Sequence, residues 1–84
     1  SGYITIEGHT DDTKPKKTYS NNWELSMARA LTVMDYLERA HHLNEKKLVP
    51  IARASSHPLT PNKDEGSRAK NRRVEFILSY DHPL

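Results

Sequence analysis

Apolar residues recur along the chain with two different periods, which together predict strands and a helix. Residues 3–7 are rich in β-branched and aromatic side chains, as is typical of a strand. Residues 48–52 and 73–80 have the same character and predict two further strands. Pro50 has no N–H to donate to a neighbouring strand, so the strand over 48–52 is expected at a sheet edge. The last strand is predicted to turn three alternate side chains towards the helix: Val74, Phe76 and Leu78.

A long helix is predicted from residue 22 to about residue 40 or 42, because apolar residues return there at steps of three and four. Asn21 followed by Glu24 fits a capping-box pattern and gives the preferred start. Ser26 is an alternative cap. The predicted buried face consists of Trp23, Met27, Ala30, Leu31, Met34 and Leu37.

The order of these elements predicts an α/β fold, with a small mixed three-stranded sheet and the long helix on one face. A strand–helix–strand unit forms a right-handed crossover, so the first two strands should be parallel. A short helix over 63–70 is also predicted, with Asn62 as its cap, although Gly66 weakens it.

Length and composition place the whole chain, residues 1–84, in one small domain with a limited core. The net charge of +2 is too small to require a polyanionic partner. The absence of cysteine excludes disulfides and cysteine-ligated metal sites. No stretch is apolar enough to span a membrane and no signal peptide is evident. We therefore expect any export or anchoring segment of a parent protein to lie outside these residues.

Three motifs in order resemble the OmpA-like family, whose domains hold peptidoglycan non-covalently. They are Ile6-Glu7-Gly8-His9-Thr10-Asp11, Asn22-x-x-Leu25-Ser26-x-x-Arg29-Ala30 and Asn71-Arg72-Arg73-Val74-Glu75-Phe76. The residues of these motifs are most similar to those of the flagellar stator subunits of that family. The resemblance implies a further strand and helix before the first motif, so the chain is expected to be an N-terminally incomplete family domain. It departs from the family where a Gly-x-Gly turn is usual, since residues 52–56 here read Ala-Arg-Ala-Ser-Ser.

Asp11 and Arg29 are the principal candidate site residues. Asp11 follows the first strand, where a loop can present its carboxylate to an ammonium group, and Arg29 lies on the polar side of the helix. An arginine fork grips a carboxylate in a way that lysine cannot copy. The resemblance implies that the pair binds the zwitterionic side-chain end of diaminopimelate in a peptidoglycan stem peptide. The alternative is a structural Asp11–Arg29 salt bridge without a ligand.

Thr10, Asn22 and Arg72 complete the predicted site, as polar contacts near the ligand in the family pattern. Thr10 and Asn22 have an alternative role in turns and caps. Neighbouring residues of a strand point to opposite faces, so only one of Arg72 and Arg73 can reach the site. We expect Arg72 near the ligand and Arg73 in a structural role, the alternative being a solvated basic run.

Other chemistries find less support in the sequence. His41 and His42 diverge on a helix and do not suit one metal ion, and His9 is expected to pack or hydrogen-bond in the loop, so no metal or cofactor is predicted. No catalytic motif is present, and the chain is expected not to be an enzyme. A nucleic-acid-binding module is the alternative function, although no nucleic-acid partner is predicted because the aromatic and basic residues are not interleaved.

The family resemblance implies a periplasmic location, in a parent protein attached to the inner or outer membrane through parts outside this chain. The last strand is expected to have an open edge without the family's first strand. Such edges are normally paired or covered. We therefore expect this chain, if it is the entire protein, to form a homodimer through residues 73–80. The alternative is that further residues of the parent chain complete the sheet.

Overall fold

The structure is a computed structural model that describes residues 2–83 as a three-stranded sheet with a long helix on one face. The elements in order are β1 (Tyr3–His9), α1 (Asn22–His41), a 3-10 turn (Glu45–Lys47), β2 (Leu48–Ala54), α2 (Glu65–Asn71) and β3 (Arg73–Ser79). The strand order is β2–β1–β3, with β1 parallel to β2 and antiparallel to β3. The predicted mixed sheet, the parallel first pair and the edge position of Pro50 are confirmed.

Helix α1 begins where Asn21 predicts it. The Asn21 Oδ1 atom accepts a hydrogen bond from the Glu24 N–H at 2.9 Å, and the Glu24 carboxylate accepts from the Ser20 N–H at 3.1 Å. Ser26 lies inside the helix and is fully buried, so the alternative cap is wrong. The helix ends at His41 and is followed by the C-cap residue His42, which adopts a left-handed conformation with φ of 54°. Neither helix within residues 2–83 combines the length and apolarity needed to cross a membrane.

The buried face of α1 is made of smaller residues than the periodicity predicts. Ser26 and Ala30 are fully buried, whereas Trp23 and Leu31 are 55% and 42% exposed, so the prediction is wrong for those two. Small side chains let the helix backbone approach the sheet closely. A Cβ added to Gly8 would lie 1.9 Å from the Ser26 carbonyl oxygen. The large side chains therefore sit on the flanks of the contact rather than in it.

Strand β3 turns Val74, Phe76 and Leu78 to the predicted face, but only Val74 packs against the core. Phe76 lies opposite Ile6 and Leu78 opposite Ile4, and directly opposed residues share a face. Ile6 packs in the core with Ala30 and Leu48. Phe76 and Leu78 are nevertheless 54% and 79% exposed, because α1 packs across β1 and β2.

Helix α2 starts two residues later than predicted and has a different cap. The Asp64 side chain accepts from the Ser67 N–H at 2.8 Å, and the Ser67 hydroxyl accepts from the Asp64 N–H at 3.0 Å. This reciprocal pair is a complete capping box. The Asn62 side chain instead accepts a hydrogen bond from Asn71 at 2.7 Å, so the predicted Asn62 cap is wrong.

At the end of β2, where the resemblance implies a Gly-x-Gly turn, Ala54 adopts a left-handed conformation with φ of 51°. Glycine adopts this conformation more readily, because a Cβ is crowded there. The Ala54 N–H donates to the Ser26 hydroxyl at 3.0 Å, and its carbonyl accepts from the Thr10 N–H at 2.9 Å. These two bonds tie the ends of β1 and β2 to α1.

Replacing Gly8 with alanine tests this close contact. We expect Gly8→Ala to lose about 3 kcal/mol or more of unfolding free energy, the upper end of what overpacking costs, since the Ser26 backbone has to move. Gly66→Ala is the matched control: its added Cβ would lie 3.5 Å from the nearest atom, an Asp64 side-chain oxygen. That variant should be neutral or more stable by up to about 1 kcal/mol. Urea unfolding measures the stability of both variants. Equal unfolding midpoints for the two variants would contradict a close contact between Gly8 and the Ser26 backbone.

Candidate functional site

Asp11 lies just past β1 with its carboxylate almost fully engaged by hydrogen bonds. Its Oδ1 atom accepts from the Thr13 N–H at 2.9 Å and from the Thr13 hydroxyl, and Oδ2 accepts from Arg72 Nη1 at 2.7 Å. Burial alone would raise the pKa of Asp11, but the bonds from Thr13 and Arg72 outweigh it and leave that pKa below its usual range. The carboxylate is therefore ionised at neutral pH.

Arg29 reaches the same region without pairing with Asp11. Its Nη1 atom donates to the His9 carbonyl at 3.0 Å, and it forms no ion pair within residues 2–83. The alternative of an Asp11–Arg29 salt bridge is therefore wrong, because Arg72 is the cation that pairs with Asp11. Most of the Arg29 guanidinium donors remain available.

Arg72 and Arg73 point to opposite sides of the sheet, as strand alternation predicts. Arg72 bridges the carboxylates of Asp11 and Glu65. Arg73 pairs with Glu75 and donates to the His57 carbonyl at 2.9 Å. Of the two arginines, only Arg72 borders the cleft that contains Asp11.

Thr10 and Asn22 hold the loop that follows Asp11. The Thr10 hydroxyl donates to the Asp11 carbonyl at 2.9 Å. The Asn22 Nδ2 atom donates to the carbonyls of Asp11 and Thr13 at 3.3 and 3.0 Å. Both residues thus shape the backbone around Asp11.

These residues surround a cleft of about 530 Å³, called here the Asp11 cleft. It is lined by Thr10, Asp11, Thr13, Lys14, Pro15, Lys16, Thr18, Tyr19, Leu25, Arg29, Glu65 and Arg72. Four of the five predicted site residues line it, and Asn22 is the exception. Thr13 and Glu65 also line the cleft and were not predicted. Thr13 follows Asp11 by two residues, a spacing at which an aspartate often accepts from the backbone, but Glu65 carries no local signal.

A second polar cluster occupies the sheet face opposite α1. His9 Nε2 lies 3.3 Å from Glu7 Oε1 and 3.9 Å from Glu75 Oε2. The three side chains are close enough to share a metal ion, but Arg53 and Arg73 already neutralise the two carboxylates. His9 belongs to β1 and is buried, so its expected place in the loop is wrong.

Two groups of this cluster, Glu7 and His9, have pKa values lowered from their usual range. The Arg53 hydrogen bond holds the pKa of Glu7 below its usual value. Burial, assisted by the positive charge of Arg73, lowers the pKa of His9 against the opposing effect of Glu75 and Glu7. At neutral pH the histidine is thus neutral and the carboxylate of Glu7 is charged.

The depressed pKa of Asp11 predicts a pH-dependent contribution to stability. A group with a lower pKa in the folded state stabilises the fold above its unfolded pKa, and loses that effect as the pH falls through the folded pKa. The stability advantage of the wild type over Asp11→Asn should therefore be largest at neutral pH. It should shrink as the pH falls below the usual aspartate pKa of 3.8. Urea unfolding of both proteins over this range measures it, and a constant difference would contradict the ion pair.

Comparison with known proteins places this geometry in a family. Residues 1–72 match the OmpA family. Motility protein B of Bacillus subtilis is 36% identical over 76 residues, which are 89% of this chain and 29% of that protein. The peptidoglycan-binding protein ArfA of Mycobacterium tuberculosis is also 36% identical, over 90% of this chain and 22% of its own length. The chain thus spans less than a third of either relative.

Comparison with solved structures supports the same family. The crystal structure of the periplasmic domain of Helicobacter pylori MotB superimposes with a TM-score of 0.86 at 34% identity. The superposition covers 96% of this chain and 52% of that one. The predicted resemblance, including the similarity to the stator subunits, is confirmed: this chain belongs to the OmpA family.

Proposed function

We propose that this chain binds peptidoglycan non-covalently, through the zwitterionic side-chain end of a diaminopimelate-type stem peptide. The observation that carries the proposal is the pairing of two complementary groups in one cleft. The ionised carboxylate of Asp11 and the guanidinium of Arg29 both line the Asp11 cleft, yet do not pair with each other. A ligand with an ammonium and a carboxylate complements both.

The chemistry of each contact follows from the atoms that remain available. Arg29 uses one donor for the His9 carbonyl, which leaves the rest of its fork for a ligand carboxylate. Asp11 accepts the ligand ammonium, and Arg72 and Thr13 fix the orientation of its carboxylate. Tyr19 and Leu25 line the same cleft and offer apolar contact to the methylene chain between the two charged ends of the ligand.

The proposed role is binding without bond cleavage. Arg72 engages both carboxylates of the cleft, Asp11 and Glu65. With its pKa held low, Asp11 is a poor proton donor at neutral pH. The cleft therefore has the chemistry of a receptor for a charged group.

The names of the similar proteins support a wider setting for this binding. One relative is a peptidoglycan-binding protein, and the similar crystal structure is a periplasmic domain of MotB. We place the chain in the periplasm, where it anchors a membrane-attached protein or assembly, such as a flagellar stator, to the cell wall. Attachment to the membrane would be made by parts of the parent protein outside this chain.

Loss of either charged group should abolish retention on the cell wall. We expect Asp11→Ala and Arg29→Ala to lose co-sedimentation with insoluble diaminopimelate-type sacculi, and free diaminopimelate to compete for the wild type. Asp12→Ala is the matched control for the loop carboxylate, because Asp12 is outside the cleft and pairs with Arg68. Arg39→Ala is the control for the helix arginine, since Arg39 pairs with Asp35 on the exposed surface.

Retention of folded Asp11→Ala and Arg29→Ala at the wild-type level would refute the proposal. Circular dichroism checks that each variant is folded. The alternative function is tested with the same protein, since a nucleic-acid binder should shift duplex or single-stranded DNA with an affinity that falls steeply with salt. The structure weakens that alternative, because Arg68, Arg72 and Arg73 are all ion-paired with carboxylates.

We also propose that the chain forms a homodimer through β3. Within residues 2–83, β3 pairs with β1 on one side and has no strand on the other. Its side chains Phe76, Ile77 and Leu78 are all exposed, at 54%, 44% and 79%. An open edge with exposed apolar side chains is a template for pairing with a second copy.

Sedimentation equilibrium at micromolar concentration should show a dimer of this chain. Leu78→Lys should weaken the association, because it places a charge on the exposed surface of β3. Leu59→Lys is the control, since Leu59 is 65% exposed but lies on the loop between β2 and α2. A folded wild-type monomer would contradict the dimer.

A further inference from the structure

The Asp11 cleft carries more positive charge than a zwitterionic group requires. Its lining contains two carboxylates, Asp11 and Glu65, and four cationic side chains: Lys14, Lys16, Arg29 and Arg72. Arg72 is engaged by both carboxylates. The other three cations form no ion pair within residues 2–83. A neutral zwitterion would use Asp11 and Arg29 and leave the two lysines unmatched.

The two lysines are held at the rim by an anchored loop. Thr13 before them is fixed by Asp11 and Asn22, and the Tyr19 N–H donates to the Lys16 carbonyl at 3.1 Å beyond them. Pro15 between them fixes its own φ and favours an extended conformation for the residue before it. Lys14 and Lys16 both line the cleft, together with Pro15, and Lys17 does not.

We propose that Lys14 and Lys16 form a second anion subsite, which binds another carboxylate of the same stem peptide. This inference rests on the proposed function and names the ligand more closely. The stem would bind with its diaminopimelate side-chain end between Asp11 and Arg29. A free carboxylate on its backbone would then lie against the two lysines. The chain would thereby discriminate between stems whose backbone carboxylates are free and stems in which they are amidated.

The test compares two synthetic L-Ala-γ-D-Glu-diaminopimelate tripeptides by calorimetry. Both keep the zwitterionic side-chain end, but in one the backbone carboxylates are free and in the other they are amidated. Wild-type protein should bind the free acid about three- to tenfold more tightly, the range expected of two exposed ion pairs. The preference should decrease as salt rises.

Variants of the lysines decide whether the subsite causes this preference. The double variant Lys14→Ala/Lys16→Ala should bind both tripeptides alike, with the affinity of the wild type for the amidated one. Lys17→Ala is the matched control, from the same loop but outside the cleft, and should keep the wild-type preference. Free diaminopimelate should compete with the tripeptides for binding to the double variant and to the Lys17→Ala variant.

Each other outcome overturns a distinct statement. Equal binding of the two tripeptides by the wild type refutes the second subsite and leaves the proposed function standing. Binding of neither tripeptide, and no competition by diaminopimelate, refutes the proposed function together with the subsite. Polyglycerol phosphate is the probe for a different source of negative charge. If the double variant loses binding to that polymer but keeps the preference between tripeptides, the lysines recognise phosphate and the proposal is wrong.

Discussion

The close approach of α1 to β1 at Gly8 determines where Asp11 and Arg29 lie relative to each other. A Cβ at Gly8 would overlap the Ser26 carbonyl, and Ala30 one turn later is also fully buried. This contact fixes the height and rotation of the helix above the strand. Arg29, next to Ala30, is thereby brought within 3.0 Å of the His9 carbonyl. Asp11 follows two residues beyond His9, so one backbone contact positions both Asp11 and Arg29.

Arg72 offsets the repulsion between two carboxylates of the cleft, Asp11 and Glu65. Asp11 and Glu65 approach the same cleft and would repel each other, and Asp11 is only 6% exposed. A buried carboxylate without a partner would protonate. Against the effect of burial, hydrogen bonds from Thr13 and Arg72 hold the pKa of Asp11 low and keep it ionised. Because Arg72 also pairs with Glu65, it balances both carboxylates and leaves Arg29 free for a ligand. An Asp11–Arg29 pair would instead have consumed the two groups that complement a zwitterion.

Local sequence patterns predicted most of the fold, and the family resemblance supplied the candidate site residues, but neither indicated the pairing among them. Asn21 predicts the start of α1 because its side chain can cap a helix. Pro50 predicts an edge strand because proline has no N–H to donate to a second neighbouring strand. The prediction was wrong for Trp23 and Leu31, because hydrophobic periodicity assumes that large residues contact the sheet. At Gly8 the helix and strand backbones are too close for a large side chain to lie between them. The partnership of Asp11 with Arg72 joins residues 61 positions apart, and no local period encodes such a distance.

Each residue of the Asn71-Arg72-Arg73 motif at the α2–β3 junction makes a different set of contacts. Asn71 is fully buried and accepts from the N–H groups of Leu59 and Thr60 at 2.8 and 3.3 Å, which fixes the preceding loop. Arg72 points into the Asp11 cleft, and Arg73 pairs with Glu75 on the opposite face. A buried amide that clamps the loop on one side of Arg72, and a strand paired with β1 on the other, leave that arginine little freedom. Its bond to Asp11 is thus set by the backbone on both sides, and so is the charge that the cleft presents.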